Sequence, residues 1–414
     1  MPSFSRSLSL WEQARQLIPG GSQTNSKRPS GFAMGEYPIF ASHGKGSHIW
    51  DVDGNEYVDY VLGLGPISLG YAYPAVDQAI REQLDAGIVY GLLSPLEVAV
   101  AQALVEVVPC AEMVRFLKSG AEVTSAALRI ARAVTGRERV VSQGYHGWHD
   151  NWTATRNDGG VPRALEQVIE SFRFNDLSSL EQALTGHPGE VAAVILCPTQ
   201  DVDPAPGFLQ GVVDLSHRHG ALVIFDEIVT GFRMALGGAQ AYYGVTPDLA
   251  CFAKAIANGM PLAAVCGRRD VMAAAERLVI SVTYGGEALS LAAAKACLNV
   301  YRERDVIGQI WQTGRALMDG MNAAAKELDV PFRAYGQAPM SAMEFTGLDP
   351  ARSGAVWQRF LAEMARRGVL LRRGGLNFVT YSHTAADVAA TVEACRESFA
   401  ALREVIGTPL AAGV

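Results

Sequence analysis

Between Pro74 and Val300 the chain alternates short apolar runs with helical patterns, and this alternation restricts the fold more than any other feature. Val114–Leu117, Val140–Ser142, Val191–Leu196, Leu222–Phe225 and Ala250–Phe252 are brief and mostly apolar at consecutive positions. Strands of that kind have both faces covered. Pro74–Ala86, Glu97–Val107, Glu122–Thr135 and Leu209–His219 carry the helical spacing. Alternating strand and helix predicts an α/β domain whose mostly parallel sheet has helices on both faces. The last stretch, about 305–414, mixes long helices (Ile310–Leu328, Ala355–Arg367, Ala385–Ile406) with short strands. It reads as a smaller α+β domain that also takes in the N-terminal segment. That segment offers a short helix near Leu8–Leu17 and a hairpin turn signal, Asp53-Gly54, between Ile49–Asp51 and Glu56–Val58. The expected division is 61–300 for the large domain, with 1–60 and 301–414 forming the small one.

Bulk composition removes several function classes. With 49% hydrophobic and 19% charged residues, the chain is globular and not disordered. A net charge of -7 argues against a nucleic-acid footprint. The longest apolar runs are far too short to cross a bilayer, and Met1–Gln16 lacks the apolar region of a signal peptide. The six cysteines are scattered without a CxxC pair, which reads as free thiols in a reducing compartment. A cytoplasmic protein with no membrane partner is expected.

Ligands of open α/β sheets bind beyond the carboxyl ends of the strands, and four such positions here are unusual. Lys118-Ser119-Gly120-Ala121-Glu122 follows Val114–Leu117 and opens a helix. Its backbone N–H groups and positive dipole end suit a phosphate; Ser119 with Glu122 equally suits an ordinary capping box. Tyr145-His146-Gly147-Trp148-His149 follows Val140–Ser142. An aromatic there can stack on a planar cofactor, whereas His146 and His149 alone lack the third ligand of a metal site. Asp226-Glu227 ends the next run. A carboxylate at the end of an apolar strand is costly unless paired. It can pair with a protonated ring nitrogen, or it is a plain surface acid; a Mg²⁺ ligand would need a Walker-type glycine loop, which is missing. Lys254 follows Ala250–Phe252 among small apolar residues. A desolvated lysine makes a good Schiff-base nucleophile, although most single lysines are solvated surface residues. The glycine-rich Gly63-Leu64-Gly65-Pro66-Ile67-Ser68-Leu69-Gly70 is not G-x-G-x-x-G, which disfavours a nicotinamide dehydrogenase.

Taken together and in this order, these residues resemble the class III aminotransferases, and most closely their glutamate-1-semialdehyde aminomutase-like branch. The resemblance runs from Ile18-Pro19-Gly20-Gly21 through Tyr57-Val58-Asp59-Tyr60 and Asp226-Glu227-Ile228-Val229-Thr230-Gly231-Phe232-Arg233 to Ser382-His383-Thr384. It implies fold type I, a seven-stranded and mostly parallel sheet, and pyridoxal 5'-phosphate (PLP) as cofactor. It further implies Lys254 as the Schiff-base and proton-moving lysine, and Asp226 as the partner of the pyridine nitrogen. Tyr145 and Val229 would lie on the two faces of the ring. Ser119, Gly120 and Ala121 would bind the phosphate, and Thr283 would reach the phosphate of a neighbouring subunit in a homodimer with shared sites. The partners would be an amine donor and a carbonyl acceptor.

The substrate half departs from the pattern. Cys197-Pro198 stands where the family has Glu-Pro, and Glu287-Ala288 where the branch has Asn-Pro. Asn377, in Arg372-Arg373-Gly374-Gly375-Leu376-Asn377, is nearest to the branch's acidic gate. Arg28, Arg373 and Asn377 are therefore the candidate substrate contacts. Transfer between two molecules is the leading expectation and an internal aminomutase shift the alternative. A PLP racemase, a decarboxylase or a non-catalytic PLP-binding protein would share the same cofactor residues.

Overall fold

A computed structural model describes residues 3–156, 159–199 and 201–407. The chain divides into two compact units, Pro74–Ile307 and the pair of end segments Met1–Tyr73 with Gly308–Val414. The boundaries thus fall later along the chain than the 60/61 and 300/301 of the sequence reading.

The first unit is built on a seven-stranded sheet. Its strands, in chain order, are β1 Met113–Leu117, β2 Arg139–Gln143, β3 Ile169–Ser171, β4 Val191–Leu196, β5 Leu222–Asp226, β6 Leu249–Phe252 and β7 Ala263–Gly267. Their spatial order is β1-β7-β6-β5-β4-β2-β3. Neighbours from β6 to β3 run parallel, and β7 alone is antiparallel to both of its neighbours.

Side chains of a strand alternate between faces, and here both faces are dry. Ala193, Ile195, Ile224, Leu249 and Cys251 point to one layer, where they meet Val123, Ala127 and Ile130 of the helix α1 Gly120–Thr135. Val194, Leu196, Val223 and Phe225 point to the other, against Leu180, Phe208, Leu209 and Val212. Every residue of β4 is buried for that reason. Burying a Val, Leu or Ile side chain contributes about 1.5–3 kcal/mol, so the sheet is a rigid platform for whatever its strand ends carry.

The second unit joins the two chain ends. A hairpin, His48–Asp51 and Glu56–Asp59, turns where expected. Asp51 shapes the turn by accepting from the Asp53 and Asn55 amides at 3.0 and 2.8 Å. Val369–Leu370 adds to this sheet in parallel beside Val58–Asp59. A separate three-stranded sheet holds Phe332–Gln337, Met340–Phe345 and Asn377–Phe378. An aromatic cluster of Phe332, Phe345, Trp357, Phe360 and Phe399 knits it to the helices Pro350–Arg366 and Ala385–Gly407.

Candidate active site

β5 and β6 are parallel neighbours, with Asp226 in register beside Cys251. The carboxylate of Asp226 and the chain leading to Lys254 therefore leave the same end of the sheet. Asp226 is only 4% exposed. Its Oδ1 accepts from the Ile228 amide at 3.1 Å and its Oδ2 lies 2.7 Å from Nδ1 of His146. The other ring nitrogen of His146 lies 2.9 Å from the Gln143 carbonyl. Both ring nitrogens thus face oxygen atoms, which fixes the orientation of the imidazole against Asp226. A buried carboxylate needs such a partner.

His149 instead meets the Ser125 hydroxyl at 2.9 Å, so the two histidines do not converge on one point. Ligand atoms of His146, Cys197 and Asp226 do lie within 4.8 Å of one another. The first and last of these are already bonded to each other.

Lys254 sits just after β6 with a positive φ of 49°, and Asn258 ends its turn at 45°. Left-handed backbone costs a non-glycine residue about 1–2 kcal/mol. Residues held this way cluster at functional sites. The surroundings that hold it are buried: Ala253, Ala255, Ile256 and Ala257 pack inward, and the Tyr301 hydroxyl donates to the Ala255 carbonyl at 3.0 Å.

At the amino end of α1 the capping box is formed. The Glu122 amide donates to Ser119 Oγ at 3.3 Å, while Oε2 of Glu122 accepts from the Lys118 and Ser119 amides at 2.9 and 2.8 Å. This leaves the Gly120 and Ala121 amides with no acceptor among the described residues. Cap and anion site are therefore compatible: the box fixes the loop, and the two remaining N–H groups point out at the positive end of a helix dipole.

Three glycines let the surrounding loops close onto this point. A methyl on Gly147 would lie 2.6 Å from Cβ of Ala121, and one on Gly120 would lie 2.7 Å from Cδ1 of Ile228. One on Gly231 would lie 2.4 Å from the Phe252 ring. The Thr124 hydroxyl adds a 2.6 Å bond to the His146 carbonyl. The phosphate-type loop, the Tyr145–Gly147 loop and the Asp226–Val229 turn are in this way one packed assembly. Val229 is half-buried on that turn, and Tyr145 is exposed with the Arg156 guanidinium 5.8 Å from its ring centre. Unpaired amides, a buried acid in a cradle of close-packed loops and a lysine at the next strand end fit a phosphorylated pyridine aldehyde.

Two residues of the same stretch hold the scaffold and were not singled out by the sequence. Glu227 is fully buried; its carboxylate accepts from the Thr230 hydroxyl, from the Ala239 amide at 2.7 Å and from the Gln240 amide at 2.8 Å. Burial raises its pKa above the ordinary value despite these donors. Arg233 is also fully buried, and desolvation lowers its guanidinium to about 10. His146 was noticed only as an aromatic or metal ligand, and its pairing with Asp226 needs the fold to be seen.

Thr283 is exposed on a turn closed by the Gly285 amide on the Val282 carbonyl at 3.0 Å. Arg28, Arg373 and Asn377 belong to the other unit. Arg28 is half-buried, packs its guanidinium against Gly20, and its Nε is buried without a hydrogen-bond partner. Arg373 is exposed. Asn377 is engaged within its own loop. Its side chain is 1% exposed and closes its own loop, accepting from the Arg372 amide at 2.8 Å and donating to the Arg372 carbonyl at 3.1 Å. The amide thus closes its own loop, and one N–H and one lone pair remain beyond these two bonds. Gln200, beside the Cys197 departure, lies outside the described residues.

The likenesses to known proteins agree with this geometry. Residues 32–404 match the family described as Aminotransferase class-III. A 3-aminobutyryl-CoA aminotransferase of Cloacimonas acidaminovorans is 35% identical over 97% of this chain and 99% of its own length. A glutamate-1-semialdehyde 2,1-aminomutase of Syntrophobacter fumaroxidans is 38% identical over 97% of this chain and 98% of its own. The FumI protein of Sphingopyxis sp. MTA144, solved in its PLP internal aldimine form, superimposes with a TM-score of 0.93 at 28% identity, covering 98% of each chain. Strand ends, sequence and fold lead to one conclusion: the chain belongs to the class III aminotransferases, PLP-dependent enzymes of fold type I.

Proposed function

We propose that this enzyme transfers an amino group between two different molecules, from an amine or amino-acid donor to a carbonyl acceptor, with Lys254 as its covalent anchor and proton carrier. The bound coenzyme supplies an electron sink for the pair left when a substrate C–H bond breaks. Lys254 takes up and returns that proton at Nζ. Asp226, held by His146 and the Ile228 amide, keeps a proton on the ring nitrogen. Gly120 and Ala121 N–H groups, with the Ser119 hydroxyl, hold the phosphate end. Tyr145 and Val229 flank the ring and exclude water from it.

The observation that carries the intermolecular reading is the 372–377 loop. An internal amino shift has to retain a free diamine between its two halves, which asks for a closing gate. The loop contains no acid, and its one carboxamide is tied by two hydrogen bonds to the Arg372 backbone. Arg28 and Arg373 are cations suited to a carboxylate or other anion on a substrate. The aminomutase reading keeps its own support in the 38% identity quoted above. Incubation with glutamate 1-semialdehyde as sole substrate separates the two. No 5-aminolevulinate is expected, whereas a panel of donors with added keto acceptors, a 3-oxoacyl thioester among them, should show amination. Rapid conversion of the single substrate would overturn the proposal.

The working unit is proposed to be a homodimer with shared sites. Thr283 is exposed on a tied turn, its hydroxyl without a hydrogen bond among the described residues. Val98, which lines one cleft with Val282 and Gly285, and Val279 stand 70% and 81% exposed, apolar surface that a second subunit would cover. A stable pair should bury more than the ~1,600 Å² of a standard interface. Sedimentation should give twice the monomer mass at micromolar concentration; a fully active monomer would rule the shared site out. Six buried free thiols support a cytoplasmic setting, and no helix among the described residues is long and apolar enough to cross a membrane.

A further inference from the structure

The phosphate-type loop begins with a lysine whose side chain does not serve the loop. Lys118 Nζ reaches across to Glu287 Oε2 at 2.9 Å, and the two side chains are only 17% and 10% exposed. This is a half-desolvated ion pair, unlike the exposed pairs that contribute little.

Glu287 cannot be spared for another reason. It caps the helix α2 Ala288–Glu303: Oε1 accepts from the Leu289 amide at 2.6 Å, and Oε2 accepts from the Ser290 hydroxyl at 2.6 Å. Burial would raise its pKa, but the Ser290 hydroxyl, the Lys118 ammonium and the Leu289 amide outweigh burial and hold it below the ordinary value. The carboxylate therefore stays charged. It also anchors the Val282–Gly286 turn, its amide donating to the Tyr284 carbonyl at 3.1 Å.

A fixed anion in this place is a problem for a phosphate. Lys118 directly precedes Ser119, so Glu287 stands one lysine side chain plus one hydrogen bond from the Gly120 and Ala121 amides. That is about the Debye length of ~8–10 Å at ordinary salt, and partly buried charges are screened less than exposed ones. A phosphomonoester dianion on those amides would be repelled by Glu287 if its charge stood uncompensated.

We propose that Lys118 is a charge-cancelling positioning residue: it neutralises the helix-capping carboxylate of Glu287 so that the neighbouring Ser119–Ala121 loop can hold a phosphomonoester. The inference rests on the PLP reading of the loop.

The test follows the sign of the charge. Apoenzyme is titrated with PLP by absorbance, and separately with inorganic phosphate by its shift of Tm, so that neither readout is activity. Lys118→Met should weaken both ligands by about tenfold or more, a change equal to about 1.4 kcal/mol. Lys118→Arg keeps the cation and should stay within about threefold of wild type. The double variant Lys118→Met with Glu287→Gln should recover most of the lost affinity, since the anion leaves with its partner. A purely structural pair predicts the reverse, with the double variant at least as weak as Lys118→Met. That result, or unchanged affinity in Lys118→Met, overturns the proposal. Should Lys118→Met fail to fold, the double variant and Lys118→Arg decide alone: both must bind within about threefold of wild type, on the same scale. Wild-type apoenzyme that binds neither PLP nor phosphate would instead sink the reading of the loop itself.

Discussion

Lys254→Ala is expected to lose the borohydride-fixable attachment of PLP completely and to reduce turnover on the order of 10⁴-fold or more, the upper range for removing a positioned acid–base group. The lysine is the one basic residue at the end of β6, and its left-handed backbone aims it from a buried turn. PLP should still bind, because the phosphate loop and Asp226 do not depend on the lysine. The protein should fold normally, and relief of a positive φ is not to be expected, since alanine suffers there as much as lysine does. Mass spectrometry after reduction is the direct check. A variant that still fixes one PLP per chain would place the anchor elsewhere.

Asp226→Asn carries the second largest effect. The substitution keeps the shape and can still accept from Ile228, so the fold should survive, with a lowered Tm because the buried bond to His146 is weakened. What changes is charge: His146 loses the carboxylate it is bonded to, and a protonated ring nitrogen loses the group that holds its proton. Breaking a buried pair costs about 3–5 kcal/mol, which corresponds to roughly 10²–10³-fold or more in rate if it falls on the transition state. The coenzyme's absorbance should shift as well, because the ring's protonation changes. Turnover close to wild type would show that the ring is activated without this carboxylate.

Much of the large unit was legible because period and burial agree there. Val191–Leu196 and Pro74–Ala86 were bounded to the residue, since each is a clean apolar run or a clean helical pattern between breakers. Ala263–Gly267 was not picked out: Ala-Ala-Val-Cys-Gly has one β-branched residue and becomes a strand only through its two neighbours. The helix Ala288–Glu303 was missed as well, because its alanine-rich face is buried nearly all round and shows little amphipathic contrast. At the site, motif residues were legible as types with a role at strand ends. Pairings between distant residues were not. His146 with Asp226 and Lys118 with Glu287 join segments far apart in the chain, and neither partner's local sequence announces the other. At Asn377 the position suggests a gate, while its two bonds to Arg372, a local matter of loop closure, become visible only in the fold.

The strand Val369–Leu370, laid in parallel beside Val58–Asp59, has a consequence for how the protein is made. During synthesis the hairpin at 48–59 leaves the ribosome early, and its outer edge then waits for a strand encoded more than three hundred residues later. At roughly 5–20 residues per second that interval is on the order of tens of seconds. Throughout it, Tyr57, Val58 and Tyr60, all buried in the finished protein, have no lasting cover. The seven-stranded unit is complete in sequence by Ile307. Birth order and sheet order conflict over the longest interval in the end-built unit. A nascent chain stalled just before Gly368 would expose an open β edge next to aromatic side chains, the kind of surface that holdase chaperones shield and that pairs with other copies when they do not.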